Sequence, residues 1–323
     1  MNRRTILHSL LLMAWCGTLT AHAQNRFPTR PVKIVVPFPP GALTDSLARL
    51  LASKLQEKWQ QPVIVENRIG ASGNIGTEFV YRAPADGHTL LFTPQSTLVL
   101  SKLMNPQIGF DPESFSPIAM VTRSTVLLLV NAKSPIQNVE QLIAFATNNP
   151  GKLNFASTGI GSTAQLSNDL FLYLSKTKGV NIPYQGIAPA ANALLAGDVD
   201  VLFDAMGNAL PQIRAGKLRA LAVAGAIRNP ALPDVPTVGE SLPGFASPLW
   251  TGLVAPPKTP QNIIDQISAD VAQALRHPDF LTRIGSTPGL DSVGSTPDEM
   301  QRAMKDERER WAQIIKMTGS KGE

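Results

Sequence analysis

The chain has 323 residues, 43% of them hydrophobic and 16% charged, with a formal net charge of +5 and one cysteine. That length predicts one large domain or two ordinary ones, and the apolar fraction excludes an intrinsically disordered chain. No apolar run reaches the roughly 18 residues of a membrane span, and one cysteine cannot form an internal disulfide.

Residues 1–23 read as a signal peptide. Arg3 and Arg4 precede an apolar stretch from Ile6 to Gly17, and Ala21 and Ala23 place small residues where a signal peptidase cuts. Export to the periplasm is the expectation. Cleavage there removes Cys16 and both arginines. The mature chain then keeps only a weak positive balance, without the basic clusters and interleaved aromatics of a nucleic-acid binder. A cysteine-free chain suits an oxidising compartment. Only His88 and His277 survive the cut.

In chain order, Val32 to Val36 predicts a strand that ends at the proline-rich loop Pro37–Gly41. From Asp45 to Trp59, Leu47, Leu50, Leu51, Leu55 and Trp59 fall on one helical face. Pro62 to Glu66 predicts a strand, Ile75 to Arg82 a helix after a glycine-rich loop, and Thr89 to Thr93 a third strand. This βαβαβ order implies parallel strands covered on both faces by helices. Ile118 to Val121 and Val126 to Val130 read as strands with no helix between them, which suits a crossover between domains. A second α/β set follows. Its helices are Leu142 to Thr147, Ala164 to Leu174, Ala188 to Ala196 and Ala209 to Ala215. Its strands are Lys152 to Ala156, Val180 to Tyr184, Val199 to Phe203 and Leu218 to Ala224. The proline-rich stretch after Arg228 predicts an ordered surface loop held by Val235, Val238, Leu242 and Phe245. Trp250 to Ala255 is a further strand. Helices from Ile263 to Leu275 and Pro297 to Thr318 close the chain, the last opening on a capping box of Thr296 and Glu299. The expected fold class is α/β: two lobes joined by crossover strands, residues 24–124 with 225–323 forming one and 125–224 the other, with a ligand cleft between them.

Candidate binding residues lie where strands give way to helices. The loop holding Phe38, Gly41, Ala42, Thr44 and Asp45 presents a helix start, with Thr44 as the expected cap. The first N–H groups of a helix lack intrahelical partners and carry about half a positive charge, so a carboxylate fits there. Equally, Thr44 and Asp45 read as ordinary capping residues. The loop holding Thr158, Gly161, Ser162 and Thr163 has the same form. Ser162 and Gln165 have capping-box spacing, and the two glycines allow close backbone approach. Its Gly159-x-Gly161 pattern lacks the acidic partner that a dinucleotide site needs on the next strand. Gln95 and Ser96 follow the third strand, and Tyr184 follows a strand of the second lobe. Asp204 ends another; it either bonds loop amides or receives an ammonium or hydroxyl group of a ligand. Gly70 to Gly76 reads as a ligand loop or as a turn that lets the next helix pack closely.

Neither His88 nor His277 lies in these loops, and no metal-ligand cluster is visible, so no cofactor or metal is expected. Asp45 and Asp204 leave open a secreted hydrolase or lyase working by acid–base chemistry. Binding without catalysis is the main expectation.

The motifs Val36–Asp45, Val65–Arg68, Gly73–Gly76, Ala83–Gly87, Ser157–Gly161, Pro183–Gly186, Gly197–Asp204, Pro233–Glu240 and Gly252–Pro256 resemble the solute-binding proteins of tripartite tricarboxylate transporters, the Bug family. The similarity spans essentially the whole mature chain. Ala42 departs from it, since the family usually repeats glycine there. The resemblance implies a type II periplasmic-binding-protein fold and a receptor that closes on a small organic carboxylate; a monomer is expected. It also implies integral-membrane permease subunits as partners, or a sensor kinase in a signalling variant. By the same resemblance, Phe38 to Asp45, Thr158 to Thr163 and the region of Asp204 act as pincers on one carboxylate, through main-chain groups and water.

Overall fold

The computed structural model describes residues 27–159 and 161–319; the expected signal peptide lies outside them. Two sheets organise the chain. The first is six-stranded and contains β1 (Val32–Val36), β2 (Val63–Asn67), β3 (Thr89–Pro94), β4 (Ser116–Ser124), β10 (Leu249–Ala255) and β11 (Leu290–Ser292), in the order β11-β4-β10-β3-β1-β2. The second is five-stranded, with β5 (Val126–Asn131), β6 (Leu153–Ser157), β7 (Gly179–Pro183), β8 (Val201–Ala205) and β9 (Leu218–Val223), in the order β7-β6-β8-β5-β9. In each sheet three strands run parallel, β1 to β3 in one and β6 to β8 in the other. β10 runs antiparallel to β3 and β4, and β5 antiparallel to β8 and β9.

The apolar runs explain this layering. β1 is buried at four of its five positions, as a strand sandwiched between helical layers must be. On one face of the first sheet, Leu47, Leu51 and Leu55 of α1 (Leu43–Trp59) share a core with Ile264, Ile267 and Val271 of a helix over Gln261–Ala274. The helices over Ile187–Ala196 and Met206–Arg214 cover one face of the second sheet through Ala190, Leu194, Ala209 and Leu210. Its other face receives Phe155, Phe171 and Phe203, and the proline-rich segment closes over them. Phe245 stacks on Phe203 with ring centroids 5.5 Å apart, beside buried Val238 and Leu242. A short helix at Val238–Ser241, opened by a Thr237–Glu240 capping box, lies inside that segment where the sequence predicted only a loop. A helix at Pro278–Gly285 and the strand β11 were likewise not expected; His277 caps the former, its Nδ1 accepting from the Asp279 amide at 3.2 Å.

The chain crosses between sheets at two adjacent places. Thr125 alone separates β4 from β5. On the return, the Ala224 amide donates to Val126 at 2.8 Å and the Ser247 amide to Ala224 at 2.8 Å. The last helix, Pro297–Thr318, packs against β4 and against the helix over Thr163–Ser175, so it bridges both sheets. Its stripe of Met300, Met304, Trp311 and Ile314 joins a core that includes residues of both. Glu307 falls on that stripe and accepts the Trp250 indole N–H at 2.8 Å. Burial pushes the Glu307 carboxyl up to about 7, against the opposing pull of Trp250, Arg310 and Arg123.

Trp311 is fully buried in this bridging core. Trp311→Ala is expected to cost about 3–5 kcal/mol of stability, read as a lower midpoint in urea unfolding.

Candidate functional site

The two parallel triplets give the protein six strand-to-helix connections, three in each sheet. All six meet at one cavity of about 520 Å³. From the first sheet it is lined by Phe38, Leu43 and Thr44 after β1, by Ala71, Ser72 and Asn74 after β2, and by Pro94 and Ser96 after β3. The second sheet supplies Thr158 and Gly161 to Ala164 after β6, Ile187 after β7, and Asp204, Ala205 and Asn208 around the end of β8. Ser124 and Val126 at the crossover, and Leu249 and Thr251 of β10, form the floor between the sheets. Helix starts therefore face the cavity from both sides. Each carries a partial positive charge from its unpaired N–H groups.

After β1, the helix begins at Leu43 with Ala42 as its cap residue, and no side chain caps it. Thr44 is the second helical residue and lines the cavity, so the expectation that it caps the helix is corrected. Asp45 does not reach the cavity. It is 2% exposed, and Oδ2 accepts from the Gly41 amide at 2.9 Å and Arg49 Nε at 3.0 Å. Oδ1 accepts from Asn67 Nδ2 at 2.8 Å, and the same amide group donates to the Phe38 carbonyl at 3.0 Å. Burial works to raise the Asp45 pKa, but Arg49, the Gly41 amide and Asn67 overcome it and hold the carboxyl below its usual range. This ring fixes the proline-rich loop to the end of β2. Ala42 is placed at the cap rather than among the lining residues, and Gly41 instead lines a smaller neighbouring cavity of about 200 Å³.

After β6 the expected cap is present: Ser162 Oγ accepts from the Gln165 amide at 3.2 Å. Gln165 Oε1 reaches back to the Gly161 amide at 2.7 Å, one residue earlier than in a standard capping box. The Gly161 N–H is therefore used internally. Glycine is required there by its φ of +74° rather than by close contact, since an added Cβ would meet Met104 only at 3.6 Å. The N–H groups of Thr163 and Ala164 in the first turn remain the donors for a ligand. After β2, Ala71, Ser72 and Asn74 line the cavity while Gly76 permits close packing, because a Cβ there would lie 2.7 Å from the Arg68 carbonyl oxygen. The close-packing reading of that loop is met at Gly76.

Two further expectations are corrected. Gln95 is fully buried beneath the cavity and donates from Nε2 to the Pro248 carbonyl at 2.6 Å, tying β3 to the chain entering β10. Tyr184 is half-buried against the helix-covered core of the second sheet and is not among the described lining residues. The sequence reading missed Asn208, Met104, Leu249 and Thr251. Only Asn208 had a signal, its i,i+4 spacing from Asp204; the others arrive by tertiary packing.

Asp204 is the single ionisable side chain among the described lining residues. It is 6% exposed, and its Oδ1 accepts from the Ala205 amide at 2.6 Å and Asn208 Nδ2 at 3.0 Å. Burial outweighs these two donors and raises its pKa to about 6. With Asp45 held elsewhere, the paired-carboxylate arrangement of the hydrolase or lyase reading is not formed. His88, at the start of β3, packs on Phe27 at 5.0 Å, and neither it nor His277 lines the cavity. The polar surface is otherwise Ser, Thr and Asn with main-chain amides. It can bind an anion through hydrogen bonds and helix starts, with no basic side chain among the described lining residues.

The family model for the tripartite tricarboxylate transporter family receptor matches residues 47–320. The protein BugT of Bordetella pertussis is 35% identical over 314 residues, covering 96% of each chain. Among solved structures, R. palustris Rpa4515 with adipate is similar at a TM-score of 0.81 and 34% identity, covering 92% of this chain and 100% of that one. MatC from Rhodopseudomonas palustris with bound malate is similar at a TM-score of 0.78 and 34% identity, covering 90% of this chain and 100% of that one.

Two outcomes follow from the site itself. Ala42→Asp supplies the missing cap, so thermal denaturation should show a gain of about 1 kcal/mol, while the new carboxylate competes with an anionic ligand and weakens its binding at least about tenfold. Because folding raises the Asp204 pKa, the folded state holds its proton more tightly than the unfolded chain does. Its contribution is present below about pH 4 and is lost as pH rises through about 6. Asp204→Asn should remove that loss, gaining about 2–3 kcal/mol above pH 6, with Glu307 left to produce a similar decline toward pH 7. Denaturant titrations from pH 4 to 8 measure both.

Proposed function

We propose a function on one premise: the chain belongs to the tripartite tricarboxylate transporter receptor family. Its members and structural neighbours are periplasmic solute-binding receptors, not enzymes. The protein captures a small organic carboxylate between its two lobes and delivers it to integral-membrane permease subunits of a tripartite tricarboxylate-type transporter. It acts as a monomer in the periplasm after residues 1–23 direct its export. The lobes comprise residues 24–124 with 225–323, and 125–224, with the proline-rich segment lying over the second sheet.

The observation that carries this reading is the meeting of six strand-to-helix connections at a cavity with no basic residue among its described lining. Similar proteins that hold adipate and malate support it. The carboxylate sits between the helix starts at Thr44 and Thr163, within reach of Ser96, Thr158 and Ser162. Closing the lobes takes it out of water, which strengthens each charge-assisted bond. A few such bonds, each contributing roughly 1.5–3 kcal/mol, support an affinity near 1 μM, about −8 kcal/mol, after the cost of association.

Titration calorimetry against a panel of organic acids and their amides tests this. Binding in the micromolar range by an acid, lost in its amide, is expected. Heat from the amides alone, or from no acid at all, would overturn it.

A further inference from the structure

The cavity has one feature that a general carboxylate site does not need. Both donors that reach Asp204 bond the same oxygen, Oδ1: the Ala205 amide and Asn208 Nδ2. Among the described residues no donor reaches Oδ2, although the residue is only 6% exposed and lines the cavity. No Lys, Arg or His, and no other Asp or Glu, stands among the described lining residues to compensate it. On β5, the residue opposite Asp204 is Leu127, and on its own strand it is flanked by Phe203 and Ala205. The cavity thus combines helix starts that attract a carboxylate with one buried lining carboxylate whose second oxygen has no donor among the described residues.

We infer that Asp204 is a specificity-determining residue that selects a zwitterionic ligand, one carboxylate seated on the helix starts and one ammonium group donating to Asp204 Oδ2. This deepens the proposed function and rests on it. An ammonium group restores the charge balance that burial of Asp204 upsets, and supplies the missing donor. A dicarboxylate instead brings a second negative charge into a space that already holds one and offers no cation to either. An unsubstituted monocarboxylate leaves Oδ2 unpaired. Burial also raises the Asp204 pKa to about 6, the direction expected of a carboxylate awaiting a cationic partner.

A matched six-carbon series tests the inference by calorimetry at pH 7.5: hexanoate, adipate, and 2-, 4- and 6-aminohexanoate, with wild type and Asp204→Asn. Asparagine keeps the Oδ1 acceptor, and an undiminished melting temperature shows that the variant is folded. The tightest aminohexanoate is expected to bind wild type at least about tenfold more tightly than hexanoate or adipate. In Asp204→Asn that advantage disappears, while adipate binds as well as before or better. Adipate equalling the best zwitterion in wild type, or zwitterion affinity unchanged by the substitution, overturns this inference and leaves the carboxylate receptor standing. Failure of every acid in the series to bind wild type overturns this inference, and the carboxylate receptor falls with it only if the whole panel of organic acids also fails.

Discussion

Strand direction is the constraint on which the site depends. A parallel strand must be followed by a crossover, here a helix or helical turn, and that element begins at the strand's carboxyl end. Six parallel strands, shared equally between two sheets whose carboxyl ends face each other, bring their connections to one cavity. The donors at helix starts cannot be satisfied within the helix, and their dipoles add to a positive potential. A surface suited to an anion therefore arises from main-chain geometry, with no lysine or arginine among the described lining residues. The side chains decide how much of that surface stays open.

They close part of it. Asp45 accepts the Gly41 amide and Gln165 accepts the Gly161 amide, so two donors nearest the loop tips are used internally. Each bond stiffens its loop. The Asp45 ring with Arg49 and Asn67 fixes the first loop to β2, while Ala42 leaves the first turn of its helix uncapped. Stability and binding compete for the same donors, because a side chain that caps a helix satisfies the N–H groups a ligand would otherwise bond. The loops are held from their outer edges and left open toward the cavity.

The crossover region joins the two sheets beside the cavity. Only Thr125 separates β4 from β5, and Ala224 hydrogen-bonds beside it on the return. The sheets are thus joined at adjacent points, where Ala224 and Ser247 bond beside the β4–β5 connection. The last helix packs over both sheets with Trp311 and Ile314 in a continuous core. Glu307 on the same stripe is buried with its carboxyl pushed up to about 7. The cavity floor at Ser124, Val126, Leu249 and Thr251 is built from these strands, so ligand contact and the crossover are physically continuous.

Local chemistry was legible in the sequence. The alternating apolar runs determined the strands and helices, the Ser162–Gln165 and Thr296–Glu299 spacings determined two helix starts, and the motifs from Val36 to Pro256 determined the family. These features act over a few residues, through hydrogen bonds and burial patterns that a chain carries wherever it folds. What only tertiary structure decided was which polar groups face the ligand. Asp45 lies in a candidate loop, yet Asn67 and Arg49 draw it away; Gln95 stands between two lining residues, yet it is buried with its Nε2 donating to Pro248; Tyr184 packs against a core. Met104 and Thr251 reach the cavity from distant segments. A side chain's direction depends on the partners that fold against it, and those partners are set by packing between elements far apart in the chain.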